Sequence, residues 1–130
     1  MGYTMKMVSE KTQLSPHALR YYEKEGLLPH IQRTKSGIRH YSDEDLEWLG
    51  LICCLKNTGM SVKQIRDFVS LSLQGLETLQ ARCEMLLAHK SEVERHIEEM
   101  NNHLEKVTHK IAFFTKQFEE YSAQKYEGIG

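Results

Sequence analysis

Proline is nearly missing: the 130 residues hold two, Pro16 and Pro29, and none from residue 30 onward. A stretch free of the strongest helix breaker can carry a long uninterrupted helix. Cysteine is scarce as well. Cys53, Cys54 and Cys83 are odd in number and two are adjacent, which excludes a spaced disulfide framework and points to reduced thiols in a cytoplasmic protein. No apolar leader opens the chain, and the longest apolar run, LGLICCL, falls far short of the roughly 20 residues of a membrane span. No membrane partner is therefore expected. Neither a glycine-rich nucleotide loop nor a readable nucleophile–base pairing is present, so neither an enzyme nor a cofactor is expected. Tandem repeats and low-complexity segments are absent too.

An excess of one charge is also missing, since the formal net charge is −1, but the charge is unevenly divided. Residues 1–40 hold seven Lys/Arg against three acids, a surplus of +4, with His17, His30 and His40 in the same stretch; the remainder holds ten basic and fifteen acidic groups, −5. A basic head on an acidic tail suits a polyanion-binding module on an oligomerising stalk.

What the last third does have is a hydrophobic seam. Leu79, Cys83, Leu86, Lys90, Val93, Ile97, Met100, Leu104, Val107, Ile111, Phe114, Phe118 and Tyr121 alternate four and three residues apart, with Lys90 the one polar interruption. A mean step of about 3.5 residues over that many heptads is a coiled-coil pattern. It predicts one helix from about Thr78 to Gln124, on the order of 70 Å long at 1.5 Å per residue. Such a stripe needs a partner, and the simplest partner is a second copy of the chain.

Short capped helices fill the first half. Thr4 caps a predicted helix from Met5 to Thr12. Ser15-Pro16 opens a second, to about Glu25, which Gly26 stops. Joined by the Gln13–Ser15 turn, the two have the proportions of a helix-turn-helix. Next, Ser36-Gly37 between Arg33-Thr34 and Ile38–Tyr41 reads as a β-hairpin with basic residues near its tip, a wing suited to phosphates. Ser42 with Asp45, and Ser61 with Gln64, are capping boxes for a third helix ending near Asn57 and a fourth from Val62 to about Leu71. Gln74-Gly75 is the hinge into the long helix. The fold class is mainly α: a winged helix-turn-helix head with linking helices, residues 1–73, then a dimerisation helix and short tail, residues 74–130.

The string LSPHALRYYEKEGLL followed by GIRHYSDEDL closely resembles the MerR family of bacterial transcriptional regulators, and the likeness covers the whole chain. His17 and Arg20 sit near the start of the recognition helix, where side chains reach base edges or phosphates. Arg39 and Tyr41, two apart on one strand, share a face suited to a joint phosphate contact, and Lys35 lies at the hairpin tip. The resemblance implies that Tyr22 points to the DNA backbone and Tyr21 packs inward. It further implies a homodimer with antiparallel long helices on two half-sites of promoter DNA. Such regulators bend and untwist the duplex so that RNA polymerase can engage.

The seam runs almost to the end, so neither the large ligand domain of drug-binding relatives nor the cysteine-bearing loop of metal-sensing ones is expected. Cys83 lies on the seam, where a small buried thiol is the simple reading. On a wheel of about 100° per residue, Cys53 falls in the apolar arc with Trp48, Leu49 and Ile52. Cys54 falls in the gap with Asp43, Glu47 and Gly50, and Gly50 leaves room for a small reagent. The run CLKNTGMS resembles the branch of the family that senses aldehydes or nitrosative stress through a thiol, which makes Cys54 the candidate sensor. Acids and the negative end of its helix oppose thiolate formation, so activation requires a basic neighbour from elsewhere. His89, His96 and His103 recur every heptad beside the seam, spaced as a solvated flank rather than a metal site. Two rivals are a regulator of this fold with a non-thiol effector and a coiled-coil adaptor that binds protein.

Overall fold

The structure, a computed structural model, describes residues 2–29 and 31–129; His30, counted above with the basic stretch, lies outside the described residues. The elements run α1 (Met5–Thr12), α2 (Pro16–Lys24), β1 (Gln32–Arg33), β2 (Arg39–His40), α3 (Asp43–Asn57), α4 (Val62–Gln74), a 3-10 turn (Leu76–Thr78) and α5 (Leu79–Ile129). Each of α1 to α4 begins at a side-chain cap. Ser42 Oγ accepts from the Asp45 amide at 3.1 Å while Asp45 Oδ2 accepts from the Ser42 amide at 2.9 Å. Ser61 and Gln64 repeat the exchange at the start of α4, and Thr4 caps α1 with Met7 sulfur as the reciprocal acceptor. These pairs satisfy amides that a helix start leaves without partners.

Two helices run further than the sequence suggested. With no breaker at Ser72–Gln74, α4 continues to Gln74 and stops where Gly75 turns to φ 104°. Likewise α5 extends to Ile129, 51 residues in all. The wing is a two-stranded antiparallel ribbon pairing Gln32 with His40 and Arg33 with Arg39. Its turn is longer than a two-residue Ser36-Gly37 reversal. The Thr34 amide donates to Ile38 O at 2.7 Å and the Gly37 amide to Thr34 O at 2.9 Å, with Gly37 at φ 83°. A third segment joins the ribbon with no local motif to announce it: Tyr3 pairs with Tyr41 through backbone hydrogen bonds of 2.7 and 2.9 Å, and its hydroxyl donates to Asp43 Oδ1 at 2.7 Å.

The core gathers Val8 of α1, Leu19 of α2, Leu27, Leu49, Ile52 and Leu55 of α3, and Ile65 and Phe68 of α4. Trp48 stacks on Phe68 with ring centroids 5.9 Å apart and donates its indole N–H to Leu27 O at 2.8 Å. Every buried side chain among the described residues lies between Val8 and Thr78. By internal contacts the chain divides into a head, residues up to His89, and a second unit from Lys90 on, formed by the rest of α5. Among the described residues no helix is long and apolar enough to cross a membrane.

Candidate nucleic-acid interface and thiol

The α1–α2 turn fixes the recognition helix. Gln13 adopts φ 62°, the left-handed conformation that closes α1 and that a non-glycine residue occupies at some cost. The Ser9 hydroxyl donates to Leu14 O and the Thr12 hydroxyl to Val8 O, holding the turn from both sides. Ser15 then caps α2 by accepting from the Ala18 amide at 3.0 Å. Leu19 and Tyr22, three apart, share the inward face and are buried. His17 and Arg20 fall on the other side and are exposed.

The tyrosine pair is reversed from expectation. Tyr22 is 6% exposed and packs in the core, whereas Tyr21 is 40% exposed, with Lys56 Nζ 5.8 Å from its ring centroid. The spacing of Tyr22 from Leu19 is the physical reason, because residues three apart lie on one helix face. Burial pushes the Tyr22 phenol above its ordinary range, and a hydrogen bond to the Cys53 thiol adds to the shift.

The wing docks on α2 through Glu23, a residue that sequence reading passed over. Its carboxylate accepts from Arg33 Nη2 at 3.0 Å and from Arg39 Nε. Arg39 therefore holds the wing against α2 through one nitrogen, while its terminal nitrogens carry no hydrogen bond among the described residues. Among the described residues Glu23 is the one acid paired with both arginines, a signal visible only once the hairpin is folded. Tyr41 also departs from expectation. It does share a face with Arg39, but that face turns toward Glu23 and the core. Tyr41 is 1% exposed, and its hydroxyl is buried without a hydrogen-bond partner. Desolvation, with Glu23 nearby, raises its pKa. It is thus a core residue of the wing base and not an outward phosphate contact. Lys35 is exposed at the wing tip.

On α3 the adjacent cysteines face different ways. Cys53 is half-buried, its pKa raised by desolvation and partly lowered again by the Tyr22 hydrogen bond. Cys54 is exposed, and a Cβ placed on Gly50 one turn earlier would meet nothing within 4 Å, so the surface beside the thiol is open. The carbonyl of Cys54 accepts from both the amide and the hydroxyl of Thr58, at 3.0 and 2.7 Å. The same hydroxyl lies 2.7 Å from His89 Nε2 on α5. Cys83 is exposed on α5. Among the described residues no group of three His, Cys, Asp or Glu side chains is gathered to hold a metal ion. Further along α5, the seam residues Ile97, Met100, Leu104, Val107, Ile111, Phe114, Phe118 and Tyr121 are all more than half exposed.

A helix-turn-helix whose second helix bares His17 and Arg20, with a basic wing pinned beside it, defines the class: a winged-helix DNA-binding protein. Residues 3–71 match the MerR HTH family of regulatory proteins, and residues 46–110 match the MerR DNA-binding region. An uncharacterized HTH-type transcriptional regulator of Haemophilus influenzae is 40% identical over 116 residues, 89% of this chain and 86% of that protein. AdhR, an HTH-type transcriptional regulator of Bacillus subtilis, is 38% identical over 79 residues, 61% of this chain and 56% of its own length. The structure of HiNmlR, a MerR family regulator lacking the sensor domain and bound to promoter DNA, superposes with a TM-score of 0.84 at 40% identity, covering 89% of this chain and 92% of that one. A MerR family regulator from Bacillus thuringiensis superposes at 0.81 with 36% identity, covering 86% and 98%. The chain belongs to the MerR HTH family: it is a DNA-binding transcriptional regulator.

Proposed function

We propose that this regulator works as a homodimer on promoter DNA and that Cys54 reports reactive electrophiles. Two heads present α2 and the wing to successive half-sites. His17 and Arg20 enter the major groove region, Lys35 and Arg39 meet flanking phosphates, and the exposed Tyr21, in place of the buried Tyr22, faces the DNA backbone. The long helix α5, from Leu79 onward, clasps its copy. The observation that carries the dimer is the exposed stripe from Ile97 to Tyr121, because a soluble monomer rarely bares so continuous an apolar surface. The long helices pair antiparallel, and the dimer distorts the promoter so that RNA polymerase can engage it.

In the sensing step the Cys54 thiolate adds to an aldehyde carbon, forming an S–C bond. The carbonyl oxygen takes up a proton, giving a hemithioacetal. Support comes from the exposure of Cys54 and the open surface at Gly50.

Fluorescence anisotropy on the duplex upstream of the protein's own gene tests the DNA reading. Affinity should fall steeply with salt, and Lys35→Ala should reduce the log–log slope by about one. Salt-insensitive or absent binding overturns it. The thiol reading requires Cys54 to alkylate with iodoacetamide faster than free cysteine near neutral pH; an equal or slower rate counts against it.

A further inference from the structure

The join between α4 and α5 turns on Gly75, at φ 104° and ψ −166°, a conformation that only glycine adopts freely and that leaves the pivot permissive. Apolar packing does not fix it, because Leu73, Leu76 and Leu79 around the turn are all more than half exposed. The core takes hold of α5 only at Met85 and Leu86, a turn further on. One anchor leaves a rod free to tilt. The second point of attachment is polar. Thr78, buried in the 3-10 turn, donates its hydroxyl to Leu71 O at 2.6 Å, with Gly75 O at 2.9 Å, back across the glycine. Arg82, in the first turn of α5, donates from Nε to Thr78 Oγ1 and from Nη2 to Gly75 O, both at 3.0 Å. Because the hydroxyl accepts from Arg82, its single proton is free for a carbonyl. Leu71 O, Thr78 Oγ1 and the Arg82 guanidinium thus form a chain of hydrogen bonds that spans the pivot.

Arg82 also suits this place by its charge. Helix α4 has no basic residue in its last turn, and its terminal carbonyls are the negative end of its dipole. A planar guanidinium that bonds two oxygens at once fixes a direction, which a flexible ammonium does not. Leverage then magnifies any error at the join. The exposed stripe at Ile97 lies about 27 Å along α5 from Leu79, at 1.5 Å per residue. A tilt of about 10° at the join shifts a head by about 5 Å relative to that stripe, and two heads by up to about 10 Å, or about three base-pair steps of 3.4 Å. We propose that Arg82 is a positioning residue for DNA recognition: acting through Thr78 and Gly75 O, it sets the direction in which α5 leaves the head, and so the half-site separation that the dimer accepts. This deepens the homodimer reading and rests on it, and the test separates the two.

The test uses the full chain and the footprinted duplex upstream of its gene, with the two half-sites moved together or apart by one to four base pairs. Sedimentation and affinity for a duplex carrying one half-site are measured alongside. The unaltered protein should prefer the native separation over a two-base-pair change by about tenfold or more. Arg82→Leu should remain a dimer with unchanged affinity for the single half-site, while that preference falls to about threefold or less. Arg82→Lys, which keeps one charged donor, should fall between the two. Thr78→Val, which keeps the shape and removes the hydroxyl, should flatten the profile in the same way, and it carries the comparison should Arg82→Leu fail to fold. A lower melting temperature with an unaltered separation profile would mean a cap that only stabilises, and it overturns this proposal while the homodimer reading stands. A parent that is monomeric at micromolar concentration overturns the homodimer reading, and this proposal with it.

Discussion

If the α5 stripe pairs two copies as proposed, replacing Leu104 by glutamate should abolish association at micromolar concentration. Leu104 lies mid-stripe on α5 and is 62% exposed in the single chain. Fully burying a leucine side chain contributes roughly 2 kcal/mol, so covering the exposed part contributes about 1 kcal/mol per copy. A two-fold pair loses that twice. Each introduced carboxylate also lies against apolar side chains of the partner, at a cost of about 1–3 kcal/mol per copy when partly desolvated. Together these amount to about 4–8 kcal/mol, or roughly three to six decades in Kd at about 1.4 kcal/mol per tenfold. Sedimentation equilibrium from nanomolar to tens of micromolar loading reads the shift directly. Glu98→Ala, off the stripe, is the control and should leave association unchanged. If Leu104→Glu associates as tightly as the unaltered protein, the stripe is not the dimer interface.

Three further outcomes follow from the head. Gln13→Gly should raise stability by about 0.5–1 kcal/mol, since relief of the left-handed strain outweighs the added freedom of the unfolded chain; a lower melting temperature would contradict this. Glu23→Gln removes the charge that holds Arg33 and Arg39. It should cost about 1–2 kcal/mol and speed amide exchange through Gln32–His40, whereas unchanged exchange there would show that the wing does not depend on it. Tyr22, Tyr41 and Cys53 all have folded-state pKa values raised above their ordinary 10.0, 10.0 and 9.0. The folded state prefers them protonated, so their contribution is complete below those values and is lost as pH rises, from Cys53 onward. The melting temperature should fall above about pH 9. Tyr41→Phe should lessen the fall above about pH 10, with no loss at neutral pH, because the hydroxyl it removes is buried without a partner. Equal alkaline profiles for the two proteins would refute that assignment.

The elements were legible in the sequence because local chemistry writes them. The Ser42/Asp45 and Ser61/Gln64 pairs, Ser15-Pro16 and Gly26 mark boundaries within a few residues, and the four–three step along α5 is a long periodic signal. What the sequence hid depends on contacts between distant segments. Tyr3 pairs with Tyr41 at a single residue, too short to leave an alternating pattern. Which way the Arg39–Tyr41 face turns is set by Glu23 on another element. The tyrosine order was recoverable in principle, since Tyr22 sits three residues from the apolar Leu19. Exposure of Cys54 followed from its place on the α3 wheel, but the contact of Thr58 with His89 spans 31 residues and no local motif announces it.

The mass of the protein–DNA complex bears most directly on the proposed mode of action. Native mass spectrometry on a duplex footprinted upstream of the gene should find two 15.2 kDa chains per duplex, and one head-sized footprint on each side of a two-fold centre. A single chain per duplex, or a one-sided footprint, would mean that the exposed seam of α5 does not pair two heads on DNA.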